Sequence, residues 1–271
     1  MSELKTATNF SNIQIVILLS ILVSISIIIR ISIFPSELPI YQDGEVYFWY
    51  ANDMNILKDF PMWDKNTFPN TLWPTVLSGF FSVISSDNFI DYMTMQRSLT
   101  LGLSVLTAIP VFFLCKKFVD ARYAIIASCL FLFEPRLIGN SLGGLSEPFF
   151  LLLTIGSIVL YLNKRMSLTY VSFAILALAC IIRYEGIVLL IPLSVLFLAV
   201  NREYKKNISR YFLAISIFLL VLLPMAFVRM STTGYDGIAS HSIAAVSTIG
   251  QDSTIYLGII SLIESTGVSV F

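Results

Sequence analysis

Long apolar segments separated by short polar connections dominate this sequence. Seven of them, of about 15 to 23 residues each, lie at residues 13–34, 93–115, 121–139, 148–162, 168–182, 186–200 and 211–230. A helix needs about 20 mostly apolar residues to cross a bilayer. Only 13% of the residues are charged, against about 25% in soluble domains. The pattern predicts an all-α polytopic membrane protein with about seven transmembrane helices, and it excludes a water-soluble domain.

The basic residues indicate how the chain is oriented in the bilayer. With the N-terminus inside, the inner segments hold ten of the 17 basic residues but only three of the 17 acidic ones. Because cytoplasmic connections are enriched in Lys and Arg, we expect a cytoplasmic N-terminus and an extracytoplasmic active face, in the cell membrane or the ER membrane. The formal net charge of zero gives no reason to expect a nucleic-acid partner.

The first outer loop, residues 35–92, is long and acidic. It holds eight acidic residues against two lysines, and a loop of this length in a compact protein is usually functional. The aromatic run at residues 47–57 predicts a helix lying on the membrane, and residues 72–84 predict a second interfacial or re-entrant helix. For most of these acids, the alternative is a solvated outer face.

Asp43 and Glu45 stand apart from the other acids because they follow the first span directly. In an extended turn, residues at i and i+2 point to the same side, so both carboxylates are predicted to face one ligand. Gly44 would let the backbone bend and approach that ligand. The spacing favours a role in proton transfer, in which either carboxylate could act as the general base.

Further charged residues gather at the outer ends of the later helices. They are Arg97, Glu134, Arg136, Glu147, Arg183 and Glu185. Ionisable groups at membrane depth are costly and often functional, although each could equally form a structural ion pair. Ser146 is predicted to cap the fourth span, where Glu147 would favour the helix dipole. Arginines suit a phosphate, and carboxylates suit a hydroxyl or a metal. The only histidine, His241, lies in the outer tail as a further candidate ligand or acid–base group.

These features resemble the GT-C membrane glycosyltransferases, in particular the dolichyl-phosphate-mannose protein mannosyltransferases and the bacterial lipid A aminoarabinose transferases. The resemblance covers residues 13–230. It rests on short segments: Asp43-Gly44-Glu45-Val46-Tyr47-Phe48 with Ala51, Phe68-Pro69, Trp73-Pro74, Ser146-Glu147-Pro148-Phe149-Phe150 and Arg183-Tyr184-Glu185-Gly186. The protein mannosyltransferases have adjacent Asp and Glu, whereas Gly44 intervenes here, so the choice of base between Asp43 and Glu45 stays open.

The resemblance implies a single GT-C-like domain over residues 1–271 that transfers a sugar with inversion. The donor would be a polyprenyl-phosphate (dolichyl-phosphate) sugar, and the acceptor a protein, glycan or lipid on the outer side. In this resemblance the general base is Asp43 or Glu45, and the donor phosphate is bound by Arg183, Arg136 or Arg97. The residues that would contact the substrate or support a divalent cation (Mg²⁺ or Mn²⁺) are Glu147, Tyr47, Glu185 and His241.

The family normally has more helices and often a soluble C-terminal domain, so this chain is expected to be C-terminally truncated. Two other functions remain open at this point. One is a transporter or flippase of lipid-linked sugars, which would use intramembrane charges and broken helices. The other is a non-catalytic membrane scaffold with the outer loop as its docking surface.

Overall fold

The computed structural model of the protein describes residues 11–62, 71–84, 86–163, 165–200 and 204–234. All elements within these ranges are helical, which confirms the all-α part of the predicted fold class. They are α1 (Asn12–Ser32), α2 (Asp43–Leu57), α3 (Leu72–Phe81), α4 (Phe89–Leu106), α5 (Ala108–Cys115), α6 (Ala121–Phe133), α7 (Pro135–Leu142), α8 (Glu147–Tyr161), α9 (Met166–Ile182), the 3-10 helix η1 (Tyr184–Leu189), α10 (Leu190–Val200) and α11 (Tyr204–Thr233).

Three segments among the described residues are long and apolar enough to cross a membrane: Asn12–Ser32, Phe89–Cys115 and Ile208–Ser231. The pair α6 and α7, bent by 50° at Glu134, makes a fourth if it is counted as one broken span. The helices at the other predicted spans, including α8 and α9, are shorter. The structure is therefore that of a helical membrane protein, and the count of seven spans stays a prediction.

The helices α9, α10 and α11 enclose an apolar core. α9 packs between α8 and α11, and its Phe173 and Leu176 are fully buried against Phe197 of α10 and Phe218 of α11. By contrast α1 exposes apolar side chains along much of its length, for example Ile28, which is 66% exposed. An exposed apolar helix face is stable where the surrounding solvent is lipid, which agrees with the membrane assignment.

The first loop folds into two packed helices, α2 and α3, with Phe48, Trp73 and Leu77 buried between and beside them. Both predicted loop helices are thus present, but α2 begins at Asp43 instead of near residue 47. The expectation of an extended turn at Asp43 and Glu45 is wrong. Both acids lie in the first turn of α2, where the helix dipole favours negative charge and so stabilises an early start.

Arg97 of α4 ties the α1–α2 connection to α7. Its Nε donates to Leu142 O at 3.0 Å, Nη1 to Pro35 O at 2.9 Å and Leu38 O at 2.6 Å, and Nη2 to Pro39 O at 2.9 Å. Only 2% of Arg97 is exposed, and four of its roughly five donor positions are committed to backbone carbonyls. The geometry contradicts the expectation that Arg97 binds a donor phosphate, because its donors stabilise the fold instead.

A second buried arginine, Arg30, joins α1 to three other helices. Its guanidinium donates to Ser104 Oγ at 3.4 Å, to Ser141 Oγ at 3.3 Å and to Leu132 O at 3.0 Å, and it also contacts Ser26 Oγ. A buried charge is tolerated only with such partners. Arg30 therefore fixes α1 against α4, α6 and α7.

The start of α2 lies directly against the α7–α8 connection. A Cβ at Gly44 would come within 2.4 Å of Gly143 O, a distance that side chains do not tolerate. Gln96 of α4 bridges the two segments, since its Nε2 donates to Gly44 O at 2.9 Å and to Gly144 O at 2.7 Å. The close approach that Gly44 permits is thus to the chain's own backbone, not to a ligand as the sequence suggested.

Candidate functional site

Charged side chains meet where α8 begins and α9 ends. Arg183 Nη1 lies 2.6 Å from Glu147 Oε1, and Arg183 Nη2 lies 3.0 Å from Glu185 Oε1. The side chains of Arg183 and Glu147 are 26% and 29% exposed, so this pair is half-buried. All three residues are predicted from the sequence to lie at one face of the bundle, and the structure brings them into contact.

The backbone between α9 and η1 sets this geometry. Arg183 is extended and serves both as the end of α9 and as the residue before η1. Gly186 then lets η1 fold back tightly, since a Cβ there would lie 3.1 Å from Cys180 N. This tight return presents Arg183 and Glu185 side by side, so that one guanidinium contacts carboxylates from two helices.

The two carboxylates keep Arg183 charged. Burial would lower its pKa, but the negative charges of Glu147 and Glu185 outweigh burial, so the pKa lies above its ordinary value. The guanidinium is therefore a permanent cation. Its charge is already more than balanced by the acids around it, which limits how strongly it can attract a second anion.

Tyr47 connects α2 to this cluster. Ser146 Oγ donates to Tyr47 Oη at 3.2 Å, and the Tyr47 side chain is buried. Burial raises the pKa of Tyr47, with further effects from the Ser146 hydrogen bond and from the charges of Arg183, Glu147 and Asp43. The charges that act on Tyr47 thus include three of the residues singled out from the sequence.

Ser146 does not cap α8 as predicted. It occupies the N-cap position, but its side chain makes no capping hydrogen bond. Its backbone is in the α region, whereas capping residues are normally extended, and Pro148 at the second helical position has no N–H to offer. The hydroxyl is instead used to hold Tyr47.

Asp43 and Glu45 point to different sides of α2, because residues two apart on a helix are separated by about 200°. Asp43 shares a face with Tyr47 at i+4, and its charge acts on the Tyr47 hydroxyl. Glu45 shares a face with Trp49, whose Nε1 donates to Glu45 Oε1 at 3.3 Å. The expectation that both carboxylates face one ligand is wrong, and Asp43 is the one on the Tyr47 side.

Several buried polar side-chain atoms on α8, on η1 and at the start of α3 have no hydrogen-bond partner among the described residues. They are Glu147 Oε2, Glu185 Oε2, Thr154 Oγ1, Trp73 Nε1 and Thr71 Oγ1. Trp73 packs on Phe149 with ring centroids 5.9 Å apart, which brings the start of α3 to the first turns of α8. Buried polar groups are normally satisfied, so Glu147 Oε2, Glu185 Oε2 and Trp73 Nε1, which lie at or beside the start of α8 and η1, are open to a polar ligand.

The sequence does not single out Thr71 or Thr154, and it indicates Trp73 only as part of a Trp-Pro motif. Neither threonine stands in a pattern that a sequence can distinguish from ordinary helix packing. Arg229 was also missed. It is 5% exposed near the end of α11, and its charge, like that of Asp53, acts on the buried Tyr50 of α2.

Arg136 is exposed in the first turn of α7, whose start is capped by Glu134 through a 2.6 Å hydrogen bond from Leu137 N. Its role in phosphate binding stays a prediction. His241 and the Phe68-Pro69 motif lie outside the described residues.

The described residues contain no group of three or more His, Cys, Asp or Glu side chains placed to hold a metal ion. Among these residues, Glu147 and Glu185, which were expected to support a divalent cation, are therefore not joined by a third such side chain.

The arrangement offers an exposed carboxylate at the start of α2, a buried tyrosine, a paired arginine and the unpaired oxygens of Glu147 and Glu185. Such a site can accept a proton, hold hydroxyl groups and contact an anion. Comparisons with models of protein families, with curated proteins and with solved structures find no match for this chain.

Proposed function

We propose that the protein is a membrane glycosyltransferase that moves a sugar from a polyprenyl-phosphate donor to a hydroxyl acceptor, with inversion. In this proposal seven helices cross the membrane, the N-terminus is cytoplasmic, and the cluster faces the extracytoplasmic side. The observation that best supports this proposal is that polar residues far apart in the sequence contact one another in the structure. Tyr47 contacts Ser146 across 99 positions, and Glu147 contacts Arg183 across 36.

Asp43 is the base in this reaction. The acceptor oxygen forms a bond to the anomeric carbon, the bond from that carbon to the phosphate oxygen breaks with its electron pair leaving on the phosphate, and the acceptor proton passes to Asp43. Asp43 is exposed, so an acceptor can reach it, and it lies on the Tyr47 side of α2. The surrounding carboxylates favour the positive charge that develops on the sugar.

Arg183 is the residue that would contact the donor phosphate. The donor's lipid tail lies in the bilayer, so its phosphate is held at headgroup depth, where the end of α9 is expected. Glu147 and Glu185 already pair with Arg183. Because the side chain of Glu185 is 42% exposed and its contact is the longer of the two, the phosphate would displace Glu185 rather than Glu147.

The unsatisfied polar atoms supply the sugar-binding part of the site. Trp73 offers an indole N–H and Glu147 a free carboxylate oxygen, both shielded from water. A sugar hydroxyl can donate to the carboxylate and accept from the indole. No step in this mechanism runs through a metal, since the described carboxylates are not grouped as a metal site.

A transporter of lipid-linked sugars is the second candidate, and one observation favours it. The 50° bend between α6 and α7 resembles the broken helices that transporters place around a substrate. The buried Arg30 and Arg97, however, are bonded to serines and carbonyls, as expected for structural rather than substrate-lining charges.

Reconstitution separates these functions. The full chain is placed in proteoliposomes with polyprenyl-phosphate-linked mannose or aminoarabinose, and both sugar transfer to added acceptors and movement of the donor between leaflets are measured. Asp43→Asn should reduce transfer by about 10²–10⁴-fold without loss of folded protein. Glu45→Gln is the matched control and should remain near the unaltered rate, because Glu45 faces Trp49.

A loss of less than about tenfold in Asp43→Asn would exclude Asp43 as the base, since general bases contribute more than that. Equal losses of transfer rate in Asp43→Asn and Glu45→Gln would contradict the inference that only Asp43 lies on the Tyr47 side of α2. Donor movement without transfer, unchanged by Asp43→Asn, would favour the transporter.

A further inference from the structure

A groove of about 480 Å³ runs between α1 and the α4–α5 segment, away from the Arg183 cluster. Most of its lining is apolar, with Ile15, Leu19 and Val23 on one wall and Ile109 and Phe112 on the other. Its volume is within the range of about 300–1,000 Å³ that is typical of ligand sites. The groove is long enough along α1 to take a hydrocarbon chain.

One end of the groove is polar and cationic. Asn12, the first residue of α1, and Lys116, the residue that ends α5, both line it. Lys116 is exposed, and its Nζ lies 5.7 Å from the centre of the Phe112 ring. The positive end of the α1 dipole lies at this mouth as well, which further favours an anion.

The surrounding charges keep this mouth positive. The connection from α5 to α6 contains Lys117, and α6 begins with Arg122 in its first turn. These two basic residues outnumber the single acidic residue there, Asp120. Basic pockets between transmembrane helices on the cytoplasmic side bind anionic lipid headgroups. An apolar groove that ends at a lysine therefore matches one class of ligand, a hydrocarbon chain with an anionic head.

We propose that this groove binds an anionic phospholipid of the cytoplasmic leaflet, with an acyl chain along α1 and the headgroup phosphate on Lys116 and Asn12. The acyl chain fills the space that the side chains of α1 and α5 leave open, and the headgroup phosphate pairs with the charged amine of Lys116. The site is independent of sugar transfer, since it lies at the end of α1 opposite Arg30.

The test counts the lipid that stays on the purified full chain. Protein is delipidated in detergent, incubated with dioleoylphosphatidylglycerol or dioleoylphosphatidylcholine, and examined by native mass spectrometry. We expect phosphatidylglycerol to be retained about fivefold better, the effect of one lysine at a membrane surface. Lys116→Gln should remove that preference, and Lys58→Gln, at an exposed position after α2 and outside the groove, should keep it.

A second variant tests the groove itself. Ser20 lines the groove and is exposed, so Ser20→Phe should fill it without disturbing the buried core and should reduce retention of both lipids. Glycerol phosphate, a headgroup without a chain, should not compete. Equal retention of the two lipids, equal behaviour of the two lysine variants, or full retention in Ser20→Phe would each overturn the proposal.

Discussion

Ser146 Oγ donates a 3.2 Å hydrogen bond to Tyr47 Oη, and this contact joins the second turn of α2 to the residue that precedes α8. Tyr47 is one helical turn after Asp43, and Ser146 is adjacent to Glu147. The bond therefore fixes the position of one acid relative to the other. Whatever the reaction, the distance between these two carboxylates depends on it.

Replacing Tyr47 by Phe should destabilise the protein in a pH-dependent way. Burial raises the pKa of Tyr47, so the folded state favours the neutral hydroxyl. That contribution is fully present below pH of about 10, the ordinary value, and is lost as the pH rises through the raised value. Near pH 8 we expect Tyr47→Phe to lower the free energy of unfolding by about 0.5–1.5 kcal/mol.

Thermal unfolding in detergent at pH 8, 9.5 and 11 measures this. The difference between Tyr47→Phe and the unaltered chain should shrink at the highest pH. Tyr41→Phe, at a position that is 68% exposed, is the control and should change the unfolding temperature little at pH 8. A Tyr47→Phe effect that is constant with pH would show that the hydroxyl proton does not matter.

Gly44→Ala should disturb the start of α2. The added Cβ would lie 2.4 Å from Gly143 O, and backbone cannot move aside cheaply, so we expect a loss of about 1–3 kcal/mol or more. Gly102→Ala in α4 is the matched control, because a Cβ there meets nothing within 4 Å. It should be neutral or slightly stabilising. Unfolding temperatures in one detergent compare the two variants, and equal values would refute the close packing at Gly44.

Glu185→Gln should improve donor binding if Arg183 takes the phosphate. Removing a partly exposed carboxylate abolishes a competitor worth about 0.2–1 kcal/mol, so the KM for the donor should fall by up to about fivefold with little change in kcat. Glu37→Gln, an exposed acid in the first loop, provides the control. A higher KM in Glu185→Gln would mean that Glu185 itself contacts the donor.

Thiol labelling tests the orientation of the chain. In a chain whose three native cysteines are replaced by alanine, cysteine is introduced at Asp87 or at Lys117, both of which are exposed. A membrane-impermeant reagent applied to intact cells should label the Asp87→Cys chain and spare the Lys117→Cys chain, and both should react after permeabilisation. The reverse pattern would place the acidic loop in the cytoplasm and contradict sugar transfer outside.

Periodicity and charge placement predict much of this fold. Apolar length predicts the spanning helix over Asn12–Ser32, and aromatic spacing predicts the helices of the first loop. Where α2 begins is harder to predict, because an acid before an aromatic run is compatible with a turn as well as with a helix start. An extended turn would place the side chains of Asp43 and Glu45 on the same side, whereas the helix places them on different sides.

Partners that are distant in sequence explain the other differences. Glu147 and Arg183 are charged residues at the ends of apolar segments, so the sequence indicates that both lie at the same face of the bundle. The acceptors of Arg97 are backbone carbonyls 45 to 62 positions away, and a carbonyl carries no signal in the sequence. An arginine that binds a ligand and one that binds the chain itself are therefore indistinguishable before the fold is known.

The hydrogen bonds of Arg97 also constrain the order in which the protein can be assembled. Leu142, which accepts from Arg97 Nε, is synthesised 45 residues later. When α4 is first synthesised, the carbonyls of Pro35, Leu38 and Pro39 are already present as acceptors, but the Nε of Arg97 has none, and a buried donor without a partner costs about 1–3 kcal/mol. We therefore expect the packing of α4 against the α1–α2 connection to become fully stable only after α7 has been synthesised.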